Sequence, residues 1–426
     1  MIKPPAVVLN RGEANGFSVL RNLRKMGVKV VSVDSQRHNM TYYSRSVKKK
    51  ICPDWESAEE AFVDFLLEFG KQLQPKAVLF PTEDTCLLAV ARHRERLNNV
   101  FHLPIPETKT VEALVDKQRF YDLLQESQVA HPKTFYPADL AQVKQLAEVM
   151  DYPYILKPVF SRSFEKKFPR RCYRVDSTEM LTTLYKSFAL EEEKVLIQKE
   201  VPGNERYLVY YYFDQSRRMR AACCYKKIRL NPIDYGNACL CEAVWQPEAV
   251  EMGQHFLERI EYHGLAEAEI QRDGENGCLK MIEINARSTT ESRLSARCGL
   301  NLEYLAYCEA AGLPLPSMGR ATQGVKWLHI TKDVHAVFSR TGYLATKKLT
   351  LRQWWHSLKG KKEYAIFAWD DPIPFFVWAI QFSKPYLKRF KPALPRNFSF
   401  GLKSLFERKL RKNSMPARTA KQSVSP

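Results

Sequence analysis

Short apolar runs alternate with amphipathic stretches through roughly the first 330 residues, the pattern of a mixed α/β chain. Residues 6–9 and 28–33 are strand-like, and 17–26 between them sets Phe17, Leu20 and Leu23 at helical spacing. The spacing predicts further helices over 57–73, 109–125, 140–150, 256–262 and 302–311. Strands are expected at 77–80, 132–136, 154–158, 195–198, 207–213, 219–225 and 325–330. The first unit is β-loop-α-β. Its loop, Asn10 to Gly16, offers backbone N–H groups and a helix N-terminus to an anion, but it is not a G-x-G-x-x-G. A plain α/β connection or a site for a small carboxylate fits the loop as well. Ligands in open α/β sheets lie beyond the carboxyl ends of the strands, so this loop and Thr82-Glu83-Asp84 are expected to flank one crevice. Thr82 as a simple helix cap is the plainer alternative.

The most distinctive stretch begins at Leu265 and reads as a β-hairpin. Asp273, Gly274, Asn276 and Gly277 supply its turn, since Gly and Asn tolerate the positive φ that tight turns need. In the register that sets Glu269 opposite Glu283, Glu267 falls opposite Asn285, and a period of two puts all four on one face. Ala268 and Ile270 then face Ile284 and Ile282 on the apolar side. Like charges directly opposite repel, so the acidic face calls for a cation. Hard oxygen ligands suit Mg²⁺, which commonly joins one or two carboxylates to substrate phosphates. A solvated hairpin is the competing reading.

Composition adds the scale. With 426 residues, 45% of them hydrophobic, the chain has room for about three domains. The ten cysteines show no C-x-x-C spacing, and residues 1–5 lead directly into a strand without a visible signal peptide. Free thiols in a reducing cytoplasm are the expectation. The net charge of +19 is concentrated: from Arg340 onward there are 19 Lys/Arg against 4 Asp/Glu. Aromatics interleave with these cations. That mixture suits an anionic lipid surface, a nucleic acid, or simple packing on the body. No run reaches the roughly 20 apolar residues of a membrane span.

The order of elements resembles the ATP-grasp superfamily at four places. Asp116-Lys117 resembles the start of the family's ATP-grasp domain, and Ile155-Leu156-Lys157-Pro158 its second lysine-bearing strand. Gln198-Lys199-Glu200-Val201-Pro202-Gly203-Asn204-Glu205 resembles its adenine hinge. Glu269, then Glu283-Ile284-Asn285-Ala286-Arg287, resembles its metal signature and reaction-centre arginine. The resemblance implies an N-terminal open α/β domain (1–108), a two-lobed ATP-grasp domain (109–335, with the small lobe and hinge in 109–200) and a basic aromatic C-terminal extension (336–426) with a disordered end.

It also implies roles. Lys117 and Lys157 would offset phosphate charge, helped by Ser161 and Ser163 of the flap. Gln198, with the backbones of Lys199 and Val201, would read adenine, and Glu205 would hold the ribose. Glu269, Glu283 and Asn285 would hold Mg²⁺, or Mn²⁺, and Arg287 would stabilise developing negative charge. The family's flap usually contains glycines, and residues 159–168 contain none. Arg293 and Arg297 receive no role. Within the superfamily the resemblance is to the carboxylate–amine ligase branch, with D-aspartate ligase-like and carbamoyl-phosphate-synthase-like proteins. The implied reaction is ATP-dependent activation of a small-molecule carboxylate and its transfer to an amine. The implied setting is the cytoplasm, with peripheral contact to an anionic membrane through 340–412 as an option; nucleic acid is not favoured. The rivals are a non-catalytic nucleotide-binding sensor or scaffold, and a membrane-surface protein led by the basic tail.

Overall fold

A computed structural model describes residues 2–387, except 38, 46, 160–163, 165–166 and 169. Residues 1–378 form one compact unit; 379–426 group separately.

The first sheet contains β1 (Ala6–Leu9), β2 (Val30–Asp34), β3 (Lys48–Ile51), β4 (Ala77–Pro81) and β5 (Phe101–His102), all parallel in the order β3-β2-β1-β4-β5. β1, β2 and β4 are buried throughout, as continuous apolar strands of a parallel sheet must be. β3 is Lys-Lys-Lys-Ile. Three lysines hide its strand character from hydropathy, yet they are what a sheet edge uses to discourage pairing with other chains.

The second sheet contains β6 (Thr134–Phe135), β7 (Tyr154–Pro158), β8 (Tyr173–Val175) and β9 (Val195–Lys199), in the order β6-β9-β7-β8. Tyr154, Leu156 and Ile197 pack against Val143 of the helix Leu140–Glu148 and against Leu181 and Phe188 of the helix Thr178–Leu190.

The third sheet runs β14-β13-β10-β11-β12-β15-β16. Its strands are β10 (Arg206–Phe213), β11 (Met219–Asn231), β12 (Asn237–Val244), β13 (Gly264–Arg272), β14 (Leu279–Asn285), β15 (Lys326–Leu328) and β16 (Lys362–Tyr364). All pairings are antiparallel except β15 with β16. The stretch beyond Arg340, expected as an appendage, therefore supplies an edge strand. Buried Glu363 of β16 pairs with buried Arg293, which gives that arginine a partner.

Several expectations need correction. Residues 109–125 form two helices, Thr108–Val115 and Lys117–Glu126. Asp116 breaks them: its backbone is extended, and its carboxylate accepts from the amides of Gln118 (2.9 Å) and Arg119 (3.3 Å), capping the second helix. Thr82 caps nothing. Its hydroxyl donates to the Leu9 carbonyl at 2.7 Å, and Glu83 holds the cap position. In the hairpin, Glu267 faces Asn285 and Glu269 faces Glu283 as expected, but Ile270 pairs with Met281. A bulge lies between. It turns Met281 fully into the core opposite Ile270 and leaves Ile282 facing the cleft.

Candidate active site

Two cavities meet at the hairpin's acidic face. The smaller, about 160 Å³, lies between the second and third sheets and is lined by Lys157, Gln198, Lys199 and Val201 among others. The larger, about 330 Å³, is bounded by the third sheet and by the loops after β1 and β4, which contribute Glu13, Asn15 and Thr82 to Asp84. Lys117, Arg171, Asn237, Glu269, Ile282 and Glu283 line both. The two loops expected to flank a crevice thus do so, tied by the Asn15 amide donating to the Thr82 carbonyl. A third cavity of about 450 Å³, near β5 and the β10–β11 turn, contains none of the expected residues. In its lining Arg217 pairs with Glu261, and His263 lies 3.5 Å from Glu309.

Each carboxylate at the junction faces a lysine. Glu283 lies 3.5 Å from Lys117, the first residue of its helix, and Glu269 lies 2.6 Å from Lys227 on β11. Burial works against the charge on Glu269, but Lys227 outweighs it and holds the carboxyl below its usual range. Glu269 in turn keeps buried Lys227 charged against desolvation. Glu267, deeper on the same face, accepts from the Thr289 hydroxyl at 2.6 Å. Burial, reinforced by Glu291, pushes its pKa well up. Among the described residues no three Asp, Glu, His or Cys side chains gather as a metal cluster. What the junction offers is two opposed carboxylates plus an amide, a hard-oxygen set that suits Mg²⁺ when phosphate oxygens complete the shell.

The remaining expected residues fall as follows. Lys157 donates to the Gln198 side-chain carbonyl at 2.8 Å, and the Gln198 amide donates to Thr134 at 2.9 Å. Burial lowers the Lys157 pKa. The Lys199 amide donates to Lys133, and the Val201 carbonyl accepts from Gln271 at 2.7 Å. Glu205 lines neither cavity and is held by Lys226 (3.2 Å) and Arg272 (3.1 Å). Ser161 and Ser163 lie outside the described residues. Arg287 lines the larger cavity in a two-pronged pair with Asp84 (2.6 and 3.1 Å) and also donates to the Asn285 side chain at 3.2 Å. Its burial is outweighed by Asp84, which raises the guanidinium pKa further.

No protein-family model matches the chain. The D-aspartate ligase of Enterococcus faecium (strain Aus0004) is 24% identical over 282 residues, covering 62% of this chain. The match spans 66% of that ligase, just under two-thirds of its length. The biotin carboxylase domain of Hydrogenobacter thermophilus 2-oxoglutarate carboxylase, solved with MgADP, ADP and bicarbonate, has a TM-score of 0.61 at 15% identity, over 76% of this chain and 73% of that one. The L-amino acid ligase of Bacillus licheniformis has a TM-score of 0.58 at 17% identity, over 73% and 75%. The chain has the ATP-grasp fold of these solved structures. Its three sheets, with a cleft between the second and third, are the mixed α/β architecture of that fold.

Sequence reasoning missed four features of this cleft: Lys227, Arg171, Asp84 as the partner of Arg287, and Glu291 beside Glu267. Lys227 had a signal. It shares strand parity with Cys223 and Tyr225, but β11 was expected to stop at Tyr225, and it runs to Asn231. Arg171 comes from a loop and had none; Asp84 is expected at the crevice, but nothing in the sequence marks it as the partner of Arg287.

Proposed function

We propose that this chain is an ATP-dependent ligase that activates a small-molecule carboxylate and joins it to an amine. The observation that carries the reading is the junction of two cavities at Glu269 and Glu283, with a lysine on each acid. The smaller cavity suits a nucleotide. Lys157 would exchange Gln198 for phosphate oxygens, and Lys117 would add a second cation. Gln198, the Lys199 carbonyl and the Val201 amide would read the adenine edge, and Ser161 and Ser163 the phosphates; Glu205 would have to turn from Lys226 and Arg272 to reach the ribose. Glu269, Glu283 and Asn285 would hold Mg²⁺, or Mn²⁺, which supplies charge neutralisation for phosphoryl transfer when bound.

The larger cavity suits the carboxylate and the amine. A carboxylate oxygen attacks the γ-phosphorus and ADP leaves; the amine nitrogen then attacks the acyl carbon and phosphate leaves. Arg287, fixed by Asp84, stands as a cation beside the charge that develops. The amine must lose a proton, and the buried carboxylates of Glu267 and Glu291 line the space where a base is needed.

The test is product formation. The full chain is incubated with ATP, Mg²⁺ and a matrix of carboxylates and amines, beginning with D-aspartate because the curated relative is named for it. ADP release matched by an amide in the mass spectrum is the expected result. Saturable ATP binding without ADP release across the matrix would mark a nucleotide-binding sensor instead.

A further inference from the structure

Two short helices, the first packed on β11 and β12 of the third sheet, carry a surface that the cleft does not use. The helix Ile330–Phe338 leaves Val334 and Phe338 exposed, and the helix Leu351–Ser357 leaves Leu351 and Trp355 exposed. The patch is continuous. Phe338 and Leu351 reach it one turn beyond Val334 and one turn before Trp355, and Trp354 joins the helices, 5.1 Å from Phe338 and 6.5 Å from Trp355. Exposure reaches 66% at Trp355. Clustered exposed aromatics of this kind mark interaction sites.

Its charge is one-sided. Residues 334–362 contain seven Lys/Arg and no Asp/Glu. The nearest acids are already engaged. Asp333 is buried, held by Arg229 at 2.7 Å and by the Trp354 indole at 2.9 Å, and Asp234 pairs with Lys348 at 2.9 Å. Arg340, Lys347, Arg352, Lys359 and Lys361 are exposed around the patch. No helix among the described residues is long and apolar enough to cross a membrane. Exposed Trp, Phe and Leu ringed by Lys and Arg match a lipid surface: the apolar side chains enter the headgroup boundary and the cations meet anionic headgroups.

We propose that residues 334–362 form a docking surface for an anionic bilayer, so that membrane contact belongs to the folded unit and not to the tail alone. It is independent of the ligase reading. The test uses the full chain and sedimentation with phosphatidylcholine vesicles with or without phosphatidylserine. The wild type should sediment with the anionic vesicles alone, and binding should fall with added salt. Leu351→Gln with Trp355→Gln alters side chains that are more than half exposed, so the melting temperature should hold while binding falls at least tenfold. Arg352→Glu with Lys359→Glu should weaken binding further, since each cation contributes roughly fivefold. Undiminished binding by both variants would overturn the proposal in favour of the tail. Absence of vesicle binding by the wild type, or patch-dependent binding to duplex RNA with no vesicle binding, would overturn it as well.

Discussion

Lys227 is the residue on which the cleft's electrostatics turn. It is 6% exposed and holds the carboxylate of Glu269, itself only about a quarter exposed. Breaking a buried pair leaves an uncompensated charge, and this costs far more than the intact pair contributes. Lys227→Met should therefore destabilise the fold by about 3 kcal/mol, read as a lower urea midpoint. If the junction is a metal site, added Mg²⁺ should restore more stability to that variant than to the wild type. Equal responses would leave the lysine as a plain structural partner. Asp34, at the end of β2, gives a separate pH signature. Burial raises its pKa to about 6, against hydrogen bonds from the Gln36 amide and the Asn39 side chain. Because the folded pKa exceeds the unfolded value near 4, folding takes up a proton between them, and stability falls as pH rises from about 4 to 6. Asp34→Asn should flatten that part of the stability–pH curve by on the order of 2 kcal/mol. An unchanged slope in urea titrations would contradict the assignment.

At the scale of elements, period and turn chemistry made much of the fold legible. The hairpin register was readable because two apolar residues alternate with charged ones on each arm. Its bulge was not, because Met281 and Ile282 are both apolar and only the packing opposite Ile270 decides which faces inward. β12, Asn-Ala-Cys-Leu-Cys-Glu-Ala-Val, shows only in the spacing of Cys239 and Cys241, because its alanines and cysteines are small and its burial comes from neighbours on both sides. β3 escaped because an edge strand has no need of apolar residues. Asp116 reads as helix on periodicity, yet it ends one helix and starts the next, and this places Lys117 at the cleft. Asp116→Ala should lower stability by about 1 kcal/mol through loss of the cap, measurable in urea. An unchanged midpoint would show the break to be held by tertiary packing.

At the scale of the molecule, charge and chemistry are segregated. The body through residue 339 is close to neutral, and the excess of cations lies beyond it. The candidate site was legible where strands present it: Glu269, Glu283 and Asn285 follow from parity along the hairpin, and Lys157 and Gln198 from the family resemblance of their strands. Arg171, from a loop, and the pairing of Asp84 with Arg287 depend on how separate sheets approach, and local sequence does not encode that. The central claim is that the hairpin carboxylates serve ATP chemistry. The most direct measurement is Mg²⁺-dependent ADP release by Glu283→Gln beside the wild type, with thermal melts of both. Turnover should fall by at least about a hundredfold with the melting temperature nearly unchanged. Near-wild-type turnover in that variant would contradict the account.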